Sequence, residues 1–154
     1  MKLNFIIIPL LAFLTARIGG TFTSAGMDWY RTIITPEWTP AGTAIGAVWT
    51  VIYILTAFSA IIVWNKFPHN IGLYGIMALF VVNAIVNAGW SWLFFGIHRL
   101  DLAFYGALAI EATVLGLMFF IWHLSRRATL LLLPYAAWVA FASYLTYIVW
   151  RLNG

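Results

Sequence analysis

The sequence predicts an all-α membrane protein, a single bundle of five transmembrane helices. Three observations predict it. Of 154 residues, 64% are hydrophobic and 8% charged, with a mean hydropathy of +0.98. A soluble domain of this size keeps too much of its surface in water to conceal that apolar content. The apolar residues also fall into five runs, each near the roughly 20 residues that cross a bilayer as a helix. Finally, the later breaks between runs are short, NKFPHN, HRLD and HLSRRA, so antiparallel neighbours follow one another up and down. The length suits one domain, 1–154. The net charge of +4 rests on eight scattered Lys and Arg, too few for a nucleic-acid surface.

The first run, about 3–24, follows Lys2 as the apolar part of a signal peptide would. It is long, contains Arg17 and reaches Trp29 without a convincing cleavage site, so it reads as a retained helix. A polar lid loop follows, about 25–41, carrying Trp29, Tyr30 and Trp38. Pro36 and Pro40 exclude helix between them and predict a rigid, extended connection. The second run, about 42–64, bears Trp49 and Tyr53. In the third, about 71–97, Asn83, Asn87 and Ser91 recur every four residues and share a face, with Trp90 beside them. In the fourth, about 101–123, Ala103, Ala107 and Glu111 do the same. The fifth, about 129–150, carries Trp138 and Ala142. Gly42 with Gly46, and Ala112 with Gly116, fit small-residue helix packing.

Five spans put the termini on opposite sides of the membrane. Lys2, Lys66, Arg126 and Arg127 share one side; Arg31, Arg99 and Arg151 share the other, the lid side. Four against three leaves the orientation open. At 1.5 Å per residue, Trp49 and Trp90 lie roughly 10 Å below the lid face, and Tyr53, Asn87 and Glu111 roughly 15 Å. Ala142 lies about 13 Å down, with Trp138 one turn deeper. These side chains share a level beneath the lid. Trp64, Trp122 and Trp150 sit at span ends and read as an interfacial belt. Arg17 is expected to snorkel towards the lid side and meet Asp28 there. Glu111 reads either as a neutral, hydrogen-bonded carboxyl or as a polar contact to ligand or partner subunit.

The absent signatures narrow the chemistry. His69, His98 and His123 fall at span ends on two different sides, so they do not make one metal site. No histidine lies mid-membrane to ligate a haem iron axially. No Ser–His–acid set, phosphate loop or carboxylate pair occurs, and no catalytic residue is nominated. A dense aromatic pocket with few polar groups suits a large, flat, apolar ligand.

Three stretches then carry a family resemblance: WYRTIITPEWTPAGTAIGAVWTVIY, NAIVNAGWSWLFFGIHRLDLAF and LLLPYAAWVAFASYLTYIVWRLN. In this order they resemble the tryptophan-rich TspO/MBR family, bacterial relatives of the translocator protein or peripheral benzodiazepine receptor. The resemblance implies a five-helix bundle, usually a homodimer, that binds porphyrins, sterols and benzodiazepine-type ligands. No cofactor is implied; protoporphyrin IX or haem is the expected ligand, and the bacterial cell membrane, rather than the outer membrane, the expected location. The implied ligand contacts are Trp29, Tyr30, Trp38 and Pro40 in the lid, with Trp49 and Tyr53 in the second span. Asn83, Asn87 and Trp90 in the third, Ala107 in the fourth, and Trp138 and Ala142 in the fifth complete them.

Two positions depart from the family pattern. The run Trp38-Thr39-Pro40-Ala41 stands where two adjacent prolines are common, and Gly106 where an acid often sits. Leu145, Tyr147 and Arg151 fit a proposed sterol-contact pattern. The expected activity is tetrapyrrole binding in sensing, transport or homeostasis, with Arg31, Arg99 and Arg151 on hand for propionates. Light-dependent porphyrin degradation and a purely structural membrane subunit are the alternatives.

Overall fold

A computed structural model describes residues 3–154, so Lys2, one of the charges assigned to the side opposite the lid, lies outside the described residues. Five helices are long and apolar enough to cross a membrane, and no strand occurs among the described residues. The first, α1 (Asn4–Ala25), tolerates Pro9 in its second turn, where only one hydrogen bond is lost. The hydroxyls of Thr15, Thr21 and Thr23 donate back to the carbonyls of Leu11, Arg17 and Gly19 at 2.9, 2.8 and 2.9 Å. Such bonds keep threonine satisfied where lipid offers no partner.

Gly26 then brings the chain against Phe95, where an added Cβ would sit 2.9 Å from that residue's Cα. Only glycine allows this approach. A one-turn helix, α2 (Met27–Tyr30), leads into the loop. Between the prolines the chain makes a tight turn instead of the extended connection expected. Thr39 donates both its N–H and its hydroxyl to the carbonyl of Pro36, at 3.0 and 2.6 Å. Proline removes a donor but keeps its acceptor, and Thr39 uses that acceptor twice.

After Pro40 comes α3 (Gly42–Lys66). Next, α4 (Ile71–Ser91) starts at Asn70, whose side chain accepts from the Leu73 N–H at 3.1 Å. It runs on into a π-helical turn, Trp92–Gly96, and then α5 (Leu100–Trp122) begins. The run expected as one span from about 129 holds a break: α6 (Arg126–Leu130) stops before α7 (Leu133–Asn153). Pro134 lies in the first turn of α7, where its missing N–H costs nothing but prevents continuous helix.

Around the bundle, α1 sits between α3 and α4, α4 packs on α5, and α5 on α7, while α6 tucks against α3. The hydroxyl of Ser59 holds that last contact by donating to the Ala128 carbonyl at 2.9 Å. The main core includes Ile52, Val63, Val114, Leu117, Ile121 and Leu132. A second cluster at the lid end gathers Phe94, Leu100, Ala103 and Val149 under Trp29 and Tyr30.

Candidate functional site

A chain of uncharged hydrogen bonds crosses the middle of the bundle and joins four helices. The Tyr53 hydroxyl on α3 donates to Asn87 Oδ1 on α4 at 2.8 Å. Asn87 Nδ2 donates to the Tyr135 hydroxyl on α7 at 2.9 Å, and that hydroxyl donates to Asn83 Oδ1 at 3.0 Å. Asn83 Nδ2 donates to the Thr113 hydroxyl on α5 at 2.8 Å, which ends on the Ile110 carbonyl at 2.8 Å. Asn83, Asn87 and Tyr135 are buried. The four-residue spacing of the asparagines puts both amides on one face of α4, and the partners arrive from neighbouring helices. Each amide uses one of its two N–H groups within this chain.

Beside the chain lies a cleft of about 470 Å³ between α1, α3 and α4. Tyr53, Asn83, Asn87 and Tyr135 form its polar wall, and the rest of its lining is almost wholly apolar. Its lipid-facing mouth is flanked by the exposed side chains of Leu11, Leu14 and Ile18 on α1 and of Val81 and Ile85 on α4. Thr56 also lines it, with a buried hydroxyl that has no partner among the described residues.

The residues expected to contact ligand fall into three groups. Trp49 does not line the cleft but packs on two members of its polar wall, its ring centroid 5.6 Å from Tyr53 and 5.9 Å from Tyr135. Trp90 stacks on Phe94 at 5.2 Å, and Trp29 and Tyr30 pack on the same ring at 5.9 and 6.0 Å. Burial pushes the Tyr30 phenol above its usual range, so it stays protonated. His98, held at the left-handed φ of 58°, lays its ring flat on Trp29 at 4.0 Å. In the third group Trp38 rests on Tyr144 and Phe141 of α7 at 5.9 and 6.0 Å, and Trp138 meets Phe141 at 5.3 Å. Pro40 closes the loop just before α3, Ala142 is half-buried beside Phe141, and Ala107 is buried in α5. Leu145 is half-buried, whereas Tyr147 and Arg151 face outward.

The charged residues depart from expectation. Asp28 pairs with Arg31 at 3.2 Å, three residues away, and not with Arg17, which stays exposed on α1. The nearer partner wins because both groups already stand in the lid. Arg99 binds Asp101 through two hydrogen bonds at 2.8 and 2.6 Å. Of the three lid-side arginines, only Arg151 has no carboxylate partner among the described residues. Glu111 is half-buried, and one of its carboxylate oxygens lacks a partner, as do the indole N–H groups of Trp90 and Trp138.

Sequence reasoning missed Tyr135 and Thr113. Tyr135 lies near the far end of the last span, where a tyrosine ordinarily reads as an interface anchor. Its place after Pro134, in the first turn of α7, was the available signal.

Comparison with known proteins agrees with this architecture. The TspO/MBR family profile matches residues 5–151. The tryptophan-rich protein TspO of Bacillus cereus is 32% identical over 153 residues, covering 99% of both chains. Protein CrtK of Rhodobacter capsulatus is 30% identical, covering 99% of this chain and 95% of its own. The human translocator protein is 29% identical, covering 95% of this chain and 90% of its own. The polar chain and its cleft are therefore carried by a multi-pass integral membrane protein that belongs to the TspO/MBR family.

Proposed function

We propose that this protein binds porphyrins and similar flat apolar molecules within the membrane, serving tetrapyrrole sensing, transport or homeostasis. The observation that carries this reading is the mid-membrane cleft with its uncharged polar wall. Its volume of about 470 Å³ falls in the range of small-molecule sites. Its α1 side runs from Ile8 to Ile18, about 15 Å at 1.5 Å per residue, a length suited to a polycyclic ring. The spare amide N–H groups of Asn83 and Asn87 supply donors, and Tyr53, with Trp49 stacked on it, supplies a ring face. The family resemblance adds Trp29, Tyr30, Trp38, Pro40, Trp90, Ala107, Trp138 and Ala142, outside the cleft lining, as further contacts in this reading.

The cleft lining holds no cation, so ring burial rather than propionate pairing supplies the affinity in this reading. Protoporphyrin IX should quench tryptophan emission saturably, and its uncharged dimethyl ester should bind at least as tightly. Ala84→Phe on the cleft wall fills that space and should weaken binding at least tenfold, about 1.4 kcal/mol. Fluorescence titration with inner-filter correction, paired with the thermal midpoint in detergent, checks both. Unaltered affinity in a folded Ala84→Phe protein moves the site out of the cleft. Loss of binding only in Ala142→Phe would place it under the lid beside Trp138.

A further inference from the structure

We propose that the face of the bundle away from the lid carries a binding site for an anionic phospholipid, with an acyl chain in a groove and the phosphate at a basic rim. The groove, about 570 Å³, is bounded by the α3–α4 connection, the first turns of α4 and the end of α5. Leu73, Ile76 and Leu79 of α4 line it together with Phe120 of α5 and Leu124 just beyond that helix. It persists because α4 presents glycine there. A Cβ built on Gly75 would meet nothing within 4 Å, and one on Gly72 would touch only the Asn70 side chain at 3.4 Å. A void against hydrocarbon forfeits dispersion contacts on every lining atom, and a lipid chain is the filler this depth supplies.

The rim decides which lipid. His123 lines the groove, Lys66 directly precedes its residue Phe67, and Arg126 and Arg127 follow its residue Leu124. The Arg126 guanidinium lies over the Trp122 ring, 5.5 Å from its centroid, a position typical of an interfacial cation. Lys66, Arg126 and Arg127 have no ion-pair partner among the described residues, because both ion pairs lie on the lid side. The acids Asp28, Glu37 and Asp101 also lie there, against Arg31, Arg99 and Arg151, and Glu111 is inside a span. One face is thus balanced and the other is basic without a counter-charge. That asymmetry fits a phosphate whose own charge is not cancelled by choline.

The test uses the full chain with phosphatidylglycerol and phosphatidylcholine of identical acyl chains. Native mass spectrometry after detergent exchange should retain phosphatidylglycerol several-fold more than phosphatidylcholine. Gly75→Leu, whose Cβ would meet nothing within 4 Å, puts a side chain into the groove and should lose both lipids. Combined Lys66→Gln, Arg126→Gln and Arg127→Gln should keep phosphatidylcholine retention and lose the preference. In wild-type protein, where folding is not in question, brominated phosphatidylglycerol should quench emission more than brominated phosphatidylcholine, and high salt should erase that difference. Equal retention of the two lipids, a preference indifferent to salt, or undiminished phosphatidylglycerol retention by folded Gly75→Leu would each overturn the proposal.

Discussion

Tyr135 carries the centre of the buried hydrogen-bond chain, since its one hydroxyl both accepts from Asn87 and donates to Asn83. Tyr135→Phe preserves the ring yet takes the acceptor from an Asn87 amide N–H and the donor from the Asn83 amide oxygen. Leaving a buried polar group unsatisfied costs about 1–3 kcal/mol, and membrane helices often recover part of it. The expected loss is about 2 kcal/mol, read as a lower thermal midpoint in detergent. Tyr53→Phe removes a donor from Asn87 alone, beside a cleft where other groups can adjust, and should lose about half as much. Equal effects would mean the chain is not centred on Tyr135. This scale also shows what the linear order conveys. The asparagine spacing along α4 was legible because it is periodic within one helix. Tyr135 and Thr113 were not, because their roles depend on helix rotation about each axis, which no single span encodes.

Among the elements, the lid is the segment most dependent on others. Asn153, at the end of α7, clamps it in the manner of a paired strand. Its Oδ1 accepts from the Ile34 N–H, and its Nδ2 donates to the Ile34 carbonyl, both at 2.8 Å. Below, Gly26 seats the lid's root against Phe95, and Trp29 lies on His98. Asn153→Ala should therefore speed amide exchange at Ile34 and its neighbours at least tenfold while leaving α3–α7 protected. Unchanged exchange would mean that the aromatic contacts hold the lid without the clamp. Gly26→Ala strikes the root itself and should lower the midpoint by the equivalent of 2 kcal/mol or more, as severe backbone clashes do. Gly20→Ala, where an added Cβ meets nothing within 4 Å, is the matched control and should be neutral or slightly stabilising. That five apolar helices build the fold was legible from hydropathy, whereas the tight turn between Pro36 and Pro40 was not. The π-turn after Ser91 was not legible either, because such an irregularity settles packing against neighbours rather than a local preference, while the break before Pro134 had its local signal in the proline itself.

For the whole molecule, the uneven seating of the spans ties stability to ligand. Only 11% of the most apolar stretch of α1 is buried, against 39% for the last span. The cleft lies between α1 and the α3–α4 pair, so α1 is left with a partly unfilled face towards Tyr53 and Asn87. Its firm approach to α4 is the point where Gly19 leaves room for the Ser91 hydroxyl, 3.0 Å from where a Cβ would stand. An occupant of the cleft would add contacts between α1 and the Tyr53–Asn87 wall, and hence would stabilise the folded bundle by mass action. At a ligand concentration 100 times the dissociation constant, that stabilisation is about 2.7 kcal/mol. The thermal midpoint should accordingly rise with the logarithm of protoporphyrin IX concentration. Hydrogen exchange should slow first along α1 between Ile8 and Ile18, the stretch of that helix that lines the cleft. A ligand held under the lid would instead protect residues 29–40 and leave α1 unaltered. Exchange mapped with and without protoporphyrin IX distinguishes the two, and protection confined to the lid would refute the cleft as the binding site.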